Sequence, residues 1–570
     1  MDYFIKKMTF VETATLAVAI DCCLAGAKKV GFCVSKDNKL LGILTQGDIL
    51  RILRDGQSID SQAVDFINRA PITVQENMSV YDAKKLLSKR IQFVPRVDSE
   101  GYLIGFVDLS SSDYDFINIR SKSVLILGLG YVGLTLGLTL ADAGFFVKGY
   151  DINYNLLETL RQKKTPFFET GLQNEIDTHI GNRLQLTSNL EDSNFDVFII
   201  TVGTPIDSNT KSPQLEYIEK AGKSIGKILS KDNLVILRST VMVGTTRSVV
   251  IPTLEEASGL KAGEDFYVAY CPERTIEGKA IEELKYLPQI IGGLDEKSIE
   301  LASRLFNEYT PTIVNVNSLE AAELCKLLDN VYRDVKFAFA NQVAAVTEKL
   351  GLDFHSLIDA VNLSYKRNDI PKPSPGVGGP CLTKDTYILR RTFEDAGLHA
   401  PLLSAARAIN EEGPRRILAR SEKLLNSLGK TLSDSKIFIV GFAFKGTPET
   451  SDLRDSTTLW FIKELKRYTN EFVGYDAVAD PKEIEQHGVE VVGVEEGFDG
   501  ADAVFIMNNH LSYYNWDLKR LLPSLNVPAL FFDCWGMFSK RKTSEYPGIL
   551  YAAIGVGSFN NEKLLIAGAT

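Results

Sequence analysis

Short apolar runs followed by small or polar residues recur through the middle of the chain. They occupy residues 123–127, 196–201, 234–241 and 266–270. Runs without polar alternation are typical of strands that are buried on both faces of a parallel sheet. Because helical patterns separate these runs, they predict an α/β domain that binds its ligands at the carboxyl ends of the strands.

A second series of apolar runs begins after Lys436 and lies in residues 437–440, 471–476, 501–507 and 529–533. Its spacing repeats that of the first series and predicts a second Rossmann-like domain. This series lacks the full glycine fingerprint that follows the first strand of the first series. The sequence thus predicts two Rossmann-like domains, of which only the first has a complete dinucleotide fingerprint.

A long helical pattern joins the two series. It extends to Leu350 from a capping-box pattern in Asn317-Ser-Leu-Glu320, and Gly351 terminates it. Polar residues recur on one face at spacings of three and four, and the opposite positions are apolar as well. The pattern therefore predicts an internal helix, in which a lysine needs a functional reason. The polar face consists of Glu323, Lys326, Asn330 and Arg333.

The first part of the chain contains a weak internal repeat. Residues 30–48 predict a strand, a turn, a second strand and the start of a helix, and residues 93–108 repeat this plan. The repeat predicts an α+β module built from two similar copies. A short linker is predicted at Ser110-Ser-Ser-Asp113, before the first Rossmann-like domain.

The composition, with 45% hydrophobic and 24% charged residues, is that of an ordinary globular protein. A net charge of −10 argues against a nucleic-acid or anionic-membrane binder, and no apolar run is long enough to span a bilayer. The seven cysteines show no metal-type spacing, which predicts reduced thiols in the cytoplasm and no metal site.

The first apolar run leads directly into the glycine triplet of Gly128-Leu-Gly-Tyr-Val-Gly133, which opens a helical pattern. Such a turn brings a pyrophosphate onto a helix N-terminus. Asp151 ends the next strand, where a carboxylate hydrogen-bonds both ribose hydroxyls and repels a 2′-phosphate. The sequence therefore predicts an NAD site rather than an NADP site. Thr204 follows a later strand, where either a capping role or a ligand contact suits it.

The stretch Pro375-Gly-Val-Gly-Gly-Pro-Cys-Leu-Thr-Lys-Asp385 places three glycines in front of one cysteine. A helix is predicted over residues 383–397, so Cys381 lies just before a helix N-terminus, where the dipole favours a thiolate. Lys384 and Asp385 add a cation and a base beside it. A lone cysteine is more often an inert small hydrophobe. These neighbours instead predict a nucleophile.

Residues 119 to about 545 resemble the UDP-glucose/GDP-mannose dehydrogenase family. The resemblance implies two Rossmann-like domains joined by a long central helix, and oxidation of the 6-hydroxyl of a UDP-sugar to a carboxylate by NAD. It also implies a homodimer or higher homo-oligomer that forms through the long helix. The matching motifs are Gly128-x-Gly-Tyr-Val-Gly133, Thr201-Val-Gly-Thr-Pro205, Ser239-Thr-Val241, Cys271-Pro-Glu-Arg274, Glu323-Leu-Cys-Lys326, Gly376-Val-Gly-Gly-Pro-Cys381 and Gly441-Phe-Ala-Phe-Lys445.

The resemblance implies roles for the residues that match these motifs. Cys381 would be the nucleophile that retains the aldehyde between two oxidations, first as a thiohemiacetal and then as a thioester. Lys326 and Asn330 would stabilise the oxyanion, and Asp385 would help to activate water. The other implied catalytic residues are Glu273 and Thr240; the cofactor residues are Gly128, Gly130, Tyr131, Val132, Gly133, Asp151, Thr204 and Thr240; the substrate residues are Glu273, Arg274, Lys326, Asn330, Arg333, Gly378, Lys445 and Arg454.

The N-terminal module resembles a pair of CBS domains, which are not a usual part of this family. Gly42, Thr45 and Asp48 match a G-x-x-T-x-x-D motif, whose threonine and aspartate hold an adenosine ribose in CBS domains. The resemblance implies an adenine-nucleotide site at Thr45 and Asp48. The second copy has Asp108 where threonine is expected, so it implies one intact site. A purely structural pairing module is the alternative.

The residues leave the sugar open. Cys271-Pro-Glu-Arg274 looks closer to the branch that acts on UDP-N-acetylhexosamines, whereas Lys384-Asp385 is shared with UDP-glucose enzymes, so UDP-glucose is the alternative substrate. Two further alternatives are a catalytically inactive regulatory protein and a one-step dehydrogenase of the β-hydroxyacid type. The predicted units are the CBS pair at 1–116, the NAD-binding domain at 119–316, the central helical domain at 317–412 and the nucleotide-sugar-binding domain at 413–570.

Overall fold

This computed structural model describes residues 3–24, 29–75, 78, 83, 85–88, 91–108, 119–190, 194–207, 209–538 and 546–557. The predicted linker at residues 110–113 lies outside the described residues, and the four domain boundaries stay predictions. The described residues form sheets of three, three, eight and six strands, with long helices between the two larger sheets. The predicted fold class, an α+β pair followed by two Rossmann-like domains joined by a long helix, is confirmed.

The N-terminal module consists of two copies of one plan, as the repeat predicts. In each three-stranded sheet the first two strands are parallel and the last two are antiparallel. The copies are joined by backbone hydrogen bonds, one of which runs from Leu40 N to Gly101 O at 3.1 Å. The strands are β1 (Thr9–Val11), β2 (Val30–Val34), β3 (Leu40–Thr45), β4 (Val74–Gln75), β5 (Val94–Val97) and β6 (Leu103–Val107), and the main helices are Tyr3–Lys7, Leu16–Leu24 and Gln46–Arg54.

The eight-stranded sheet has the order β14-β13-β12-β11-β10-β7-β8-β9, in which the β12–β13 pair is antiparallel and the other pairs are parallel. Its first six strands follow the Rossmann order, so the carboxyl ends of β7 and β10 meet at the point where the order reverses. The strands are β7 (Ser123–Leu127), β8 (Phe146–Tyr150), β9 (Leu184–Thr187), β10 (Val197–Ile200), β11 (Leu234–Leu237), β12 (Tyr267–Tyr270), β13 (Gln289–Gly293) and β14 (Ile313–Ser318). The helices are Tyr131–Asp142, Tyr154–Arg161, Leu172–His179, Glu216–Gly226, Ile251–Ser258, Ala280–Leu284 and Glu296–Asn307.

The six-stranded sheet is parallel throughout and repeats the same strand order as β17-β16-β15-β18-β19-β20. Every residue of β15, β18 and β19 is buried, as uninterrupted apolar runs predict. The strands are β15 (Ile437–Val440), β16 (Phe472–Tyr475), β17 (Glu490–Val491), β18 (Ala503–Ile506), β19 (Ala529–Asp533) and β20 (Ile549–Ala553), and the helices are Thr457–Leu465, Pro481–Glu485, Val494–Phe498 and Leu518–Leu521.

Three long helices connect the two larger sheets. We refer to Leu319–Leu350 as the central helix, to Leu382–Asp395 as the cysteine helix and to Pro401–Ser427 as the support helix. The central helix ends at Gly351, as predicted, but the predicted cap at Asn317 is wrong. Ser318 is the cap, because its hydroxyl accepts a hydrogen bond from Ala321 N at 3.1 Å.

The central helix is buried on one face only, so the prediction of an internal helix is partly wrong. Glu323, Lys326 and Asn330 face the interior, as the polar stripe predicts. On the outer face, large apolar side chains reach the surface of the chain, and Tyr332, for example, is 66% exposed. No described helix combines the length and the apolar composition needed to cross a membrane. The other exposed apolar residues of the outer face are Leu328, Phe339, Val346 and Leu350.

Candidate active site

The turn after β7 leaves space at the carboxyl edge of the eight-stranded sheet. Gly128 has a φ of +96°, and a Cβ on Gly133 would lie 1.8 Å from the carbonyl oxygen of Gly128. A Cβ on Gly130 would meet nothing within 4 Å. The outer glycines are therefore required by the turn itself, whereas Gly130 leaves room for a ligand. Tyr131 and Val132 begin the following helix, whose N-terminal amides favour an anion.

Two polar groups beside this turn retain hydrogen-bonding capacity. The two carboxylate oxygens of Asp151 accept one hydrogen bond each, from Leu129 N at 2.7 Å and from Asn153 N at 2.8 Å, and each oxygen has a further lone pair. The buried hydroxyl of Thr204 has no hydrogen-bonding partner among the described residues. Thr240 follows β11 at the same edge of the sheet. These residues fit the phosphates and ribose of NAD.

A cavity of about 880 Å³ lies between the two Rossmann-like domains and the central helix. Four segments provide most of its lining: the loop after β12, the central helix, the cysteine loop (residues 375–381) and the loop after β15. Leu287, Asp369 and Leu382 also line it. This volume lies in the range of sites for small molecules and cofactors. The predicted site residues that line it are Arg274, Lys326, Asn330, Arg333, Gly378, Cys381 and Lys445.

Cys381 caps the cysteine helix, and its side chain is exposed to this cavity. The surrounding protein excludes water and raises the pKa of the thiol; Asp385 acts in the same direction, and Lys384 and Lys326 oppose both. Burial and Asp385 thus act against the helix N-terminus, which favours the thiolate. Activation of the sulfur therefore depends on the neighbouring cations Lys384 and Lys326.

Lys326 projects from the inner face of the central helix into the same cavity. It is 8% exposed, and among the described residues its ammonium group makes no hydrogen bond. Asn330, one turn further along, donates a hydrogen bond to Asp385 Oδ2 at 2.6 Å, and Lys384 donates to Asp385 Oδ1 at 2.8 Å. Asp385 is thus buried and oriented from both oxygens, while Lys326 remains available to neutralise a charge that develops in the cavity.

Glu273 lies behind the cavity wall. It is 6% exposed, forms an ion pair with Arg238 at 2.5 Å, and accepts hydrogen bonds from Arg274 N and Thr275 N at 2.7 Å. Burial opposes its ionisation, but Arg238 outweighs burial and holds the pKa of Glu273 below its usual value. Arg274 itself lines the cavity and pairs with Asp329 of the central helix at 2.7 Å. A contact of Glu273 with substrate stays a prediction.

Lys445 reaches the cavity from the loop after β15, and its ammonium group donates a hydrogen bond to Glu277 O at 2.6 Å. Burial lowers the pKa of Lys445 to about 8. Burial, together with the Asp452 carboxylate, raises the pKa of Glu277 to about 7. Arg454 does not line the described part of the cavity and pairs with Asp452 at 2.6 Å. An anion in the cavity would therefore meet Lys445, and a contact of Arg454 with substrate stays a prediction.

The cysteine loop packs against the C-terminal Rossmann-like domain. A Cβ on Gly378 would lie 2.4 Å from Asp455 O, and Gly379 N donates a hydrogen bond to the same oxygen at 3.1 Å. Gly379 also has a φ of +90°. Because a side chain at either position would collide or strain the backbone, these glycines bring the loop with Cys381 next to the loop with Lys445.

Three groups near the cavity escaped the sequence analysis. Arg238 pairs with Glu273, Glu277 lines the cavity, and Glu169 accepts hydrogen bonds from the Tyr131 hydroxyl and, at 2.7 Å, from Gly278 N. Tyr131 thereby ties the fingerprint helix to the loop that carries Glu277. Glu277 follows Glu273 by four residues in the loop after β12, and this second acidic residue is the one local signal that pointed to it.

In the N-terminal module, Thr45 and Asp48 form a capping box. Thr45 Oγ1 donates to Asp48 Oδ2 at 2.6 Å, and Asp48 N donates to Thr45 Oγ1 at 3.3 Å. Their contact with a nucleotide stays a prediction. The module meets the first Rossmann-like domain through an ion pair between Lys7 and Asp142 at 2.5 Å. Asp142 also pairs with Lys285 at 3.3 Å, so it connects the module to the helix after the Glu277 loop.

Models of the UDP-glucose/GDP-mannose dehydrogenase family match most of the chain. The NAD binding domain matches residues 122–310, the central domain matches residues 320–412, and the UDP binding domain matches residues 438–540. A CBS domain model matches residues 2–55 and 63–111. The matches cover most of both Rossmann-like sheets, the central and cysteine helices and the N-terminal module.

Individual proteins are similar over more than two thirds of the chain. A UDP-N-acetyl-D-mannosamine dehydrogenase of Pyrococcus horikoshii is 33% identical over 399 residues, which cover 69% of this chain and 91% of that protein. A UDP-N-acetyl-D-glucosamine 6-dehydrogenase of Pseudomonas aeruginosa is 30% identical over 429 residues, covering 75% and 99%. The solved structure of a UDP-D-ManNAc dehydrogenase from Pyrococcus horikoshii has a TM-score of 0.69 at 30% identity and covers 76% of this chain and 99% of that chain.

Proposed function

Because the chain belongs to the UDP-glucose/GDP-mannose dehydrogenase family, we propose that it oxidises C6 of a UDP-N-acetylhexosamine to a carboxylate through a thioester on Cys381. The chain is an NAD-dependent nucleotide-sugar dehydrogenase; the cysteine chemistry and the sugar are the proposal. One observation carries it. The cavity that Lys445 lines also contains the Cys381 thiol and the ammonium group of Lys326, which makes no hydrogen bond within the part of the chain that the structure describes. The predicted role of the acid product is to serve as a precursor for the synthesis of surface polysaccharides.

The cavity and the fingerprint turn at Gly130 have different binding tasks. Lys445 and Arg333 hold the diphosphate of the UDP-sugar, and the Gly130 turn, Asp151 and Thr204 hold NAD. NAD, when bound, supplies the hydride acceptor for both oxidations. Gly378 allows the cysteine loop to approach the nucleotide-binding domain closely.

Cys381 keeps the reacting carbon on the enzyme between the two oxidations. The C6 hydroxyl first loses a hydride and a proton and becomes an aldehyde. Sulfur then bonds to the aldehyde carbon, and the resulting thiohemiacetal loses a second hydride and a proton to give a thioester. Water cleaves the C–S bond, which releases the acid and restores the thiol. Lys326 stabilises the charge on the C6 oxygen in each step.

Asp385 and Asn330 serve the hydrolytic step. Asn330 and Lys384 fix the Asp385 carboxylate in the first turn of the cysteine helix, where it orients and activates the attacking water. Glu273 is held ionised by Arg238 and contributes negative charge next to Lys326. We assign Thr240 to the reacting end of the NAD site because it follows β11 at the same edge as the fingerprint turn.

The sugar is tested by a panel of UDP-GlcNAc, UDP-ManNAc, UDP-glucose and GDP-mannose with NADH as the readout. We expect an N-acetylated UDP-sugar to have the highest kcat/KM, because the similar proteins bear the names of such enzymes and Arg274 takes part in the cavity wall. Faster turnover of UDP-glucose would establish the alternative substrate. No turnover of any sugar would favour an inactive regulatory protein, and one NADH per sugar would favour a one-step dehydrogenase.

We also propose that the chain forms a homodimer through the outer face of the central helix. The apolar residues there, such as Phe339 at 53% exposure, form a continuous row on one helix. Light scattering of the purified protein measures the assembly directly. A dimer that dissociates when Phe339 and Val346 are replaced by aspartate supports the proposal, and a monomeric wild-type protein contradicts it.

A further inference from the structure

The guanidinium group of Arg407 lies beneath the cysteine loop. Arg407 belongs to the support helix and is 2% exposed. Its Nη1 donates a hydrogen bond to Leu382 O at 3.1 Å, and its Nη2 donates to Val377 O at 3.2 Å. Because these carbonyl groups flank residues 378–381, one planar group holds both ends of the segment that carries Cys381.

The charge of Arg407 is balanced inside the protein. Its Nη1 also donates to Asp334 Oδ1 at 2.8 Å, and Asp334 is fully buried on the central helix. Asn410 Nδ2 donates to the same oxygen at 2.8 Å, and Thr386 Oγ1 donates to Asp334 Oδ2 at 2.9 Å. A charge pair with this many partners has one favoured geometry, which gives the loop a rigid support.

The same network sets the register of two helices. Asn330 of the central helix bonds Asp385, and one turn later Asp334 bonds Thr386 of the cysteine helix. Arg407 does not line the described part of the cavity. It belongs to the support helix and to neither of the two Rossmann-like sheets. Its influence on the reaction therefore passes through the position of the cysteine loop.

We propose that Arg407 is a positioning residue that places the Cys381 sulfur for addition to the aldehyde. This inference rests on the proposed function. The first oxidation needs no bond to sulfur, whereas the second needs the sulfur within bonding distance of C6. A displacement of about 1 Å at a reacting group lowers a rate by about 100-fold. Loss of Arg407 should therefore harm acid formation more than aldehyde formation.

The test compares Arg407→Gln and Arg407→Lys with Thr386→Val. The first two weaken the support of the loop carbonyls, and the lysine variant keeps the positive charge opposite Asp334, so it retains the fold. Thr386→Val is the matched control, because it removes one hydrogen bond from Asp334 and none from the loop. Acid and trapped aldehyde are quantified for each variant, and the pH dependence of Cys381 alkylation by iodoacetamide is measured without substrate.

We expect acid formation to fall about 100-fold in Arg407→Gln and less in Arg407→Lys, with free aldehyde detected and the Kd of NAD and of UDP-GlcNAc unchanged within about twofold. The alkylation midpoint should move to lower pH, because a loosened loop lets water reach the sulfur. Acid formation within about threefold of wild type in Arg407→Lys, or an equal loss in Thr386→Val, overturns the proposal. A Cys381→Ala variant assayed in parallel isolates the proposed function: if it still makes acid, that function fails, whatever the Arg407 variants do.

Discussion

The two Rossmann-like sheets share a strand order and differ in what they offer a ligand. In each, a carboxylate after the second strand accepts a hydrogen bond from the turn after the first strand: Asp151 from Leu129 N, and Asp476 from Phe442 N. The oxygens of Asp151 accept one described hydrogen bond each. Those of Asp476 accept hydrogen bonds from Phe442 N, Ala443 N, Val478 N, Ala479 N and Asn508 Nδ2.

The carboxylate of Asp476 is therefore saturated, and that of Asp151 is not. The turns differ as well. In the eight-stranded sheet the helix begins directly after Gly130, whereas in the six-stranded sheet residues 441–456 precede the helix and carry Lys445. The eight-stranded sheet thus presents helix N-terminal amides and the Asp151 carboxylate, which can accept further hydrogen bonds. The six-stranded sheet presents the ammonium group of Lys445. The same topology binds different ligands because the turn residues differ.

The largest difference between the two Rossmann-like sheets should appear when the positive charge of Lys445 is removed. Lys445→Ala should raise the Kd of UDP-GlcNAc by about 30-fold, because a hydrogen bond to a charged group contributes about 2 kcal/mol. The Kd of NAD should not change. Isothermal titration calorimetry of both ligands measures this, with Lys279→Ala as the control, since Lys279 is exposed and lies outside the lining of the cavity. Equal losses for both ligands would mean that the two sites are not separate.

The carboxylates provide the second comparison. Asp151→Asn should weaken NAD binding by about tenfold, because the carboxylate that accepts from the ribose loses its charge. It should also reduce the preference of the site for NAD over NADP. Asp476→Asn should leave NAD binding unchanged and lower the free energy of unfolding by about 1–3 kcal/mol, because backbone donors lose a charged acceptor. Fluorescence titration measures the affinity for NAD in both variants, and urea denaturation measures the free energy of unfolding of Asp476→Asn. Weaker NAD binding in Asp476→Asn would contradict the comparison.

The pH dependence of binding should belong to the UDP-sugar site. A diphosphate binds best when Glu277 is neutral and Lys445 is charged, so binding takes up protons and affinity falls as pH rises through about 7 to 8. We expect a loss of several-fold between pH 6.5 and 8.5, measured by calorimetry with UDP-GlcNAc. In Glu277→Gln, the affinity for UDP-GlcNAc should fall only as the pH rises through the pKa of Lys445. A pH-independent Kd in wild type would refute this.

The smallest effect should come from the N-terminal module. If Thr45 and Asp48 hold an adenine nucleotide, AMP, ADP, ATP or S-adenosylmethionine should bind and change kcat/KM by about fivefold, a coupling of about 1 kcal/mol. The Thr45→Ala/Asp48→Ala double variant should not bind. Lys7→Ala should bind but lose the effect on activity, because Lys7 joins the module to Asp142. No binding, or full binding by the double variant, would leave a structural module.

Local patterns predicted most of the fold and only part of the site. Uninterrupted apolar runs identified the strands, the fingerprint identified the turn that fits NAD, and the cysteine loop identified one wall of the cavity. The partners of Glu273 and Asp334 could not be predicted, because Arg238 and Arg407 lie 35 and 73 residues away. The hydrophobic pattern of the central helix predicted an internal helix and did not reveal its exposed face, because apolar residues at a surface and in a core give the same pattern.

The pKa of Cys381 also shows that a local sequence pattern predicts only part of the site. Its position at a helix N-terminus predicts a lowered pKa, but the protein around the cavity excludes water and raises it. Burial depends on segments that are distant in sequence, so the local motif could not reveal it. The cations that counteract burial, Lys326 and Lys384, come from two different helices.

The central claim is that Cys381, between the two unlike sheets, carries the sugar through a second oxidation. It is tested most directly by the ratio of NADH formed to sugar consumed, with the product identified by mass spectrometry, in wild type and in Cys381→Ala. We predict two NADH and a uronic acid for wild type, and no acid for the variant, whose Kd values for NAD and UDP-sugar stay unchanged. A Cys381→Ala protein that forms the acid at near wild-type rate would contradict covalent catalysis by this cysteine.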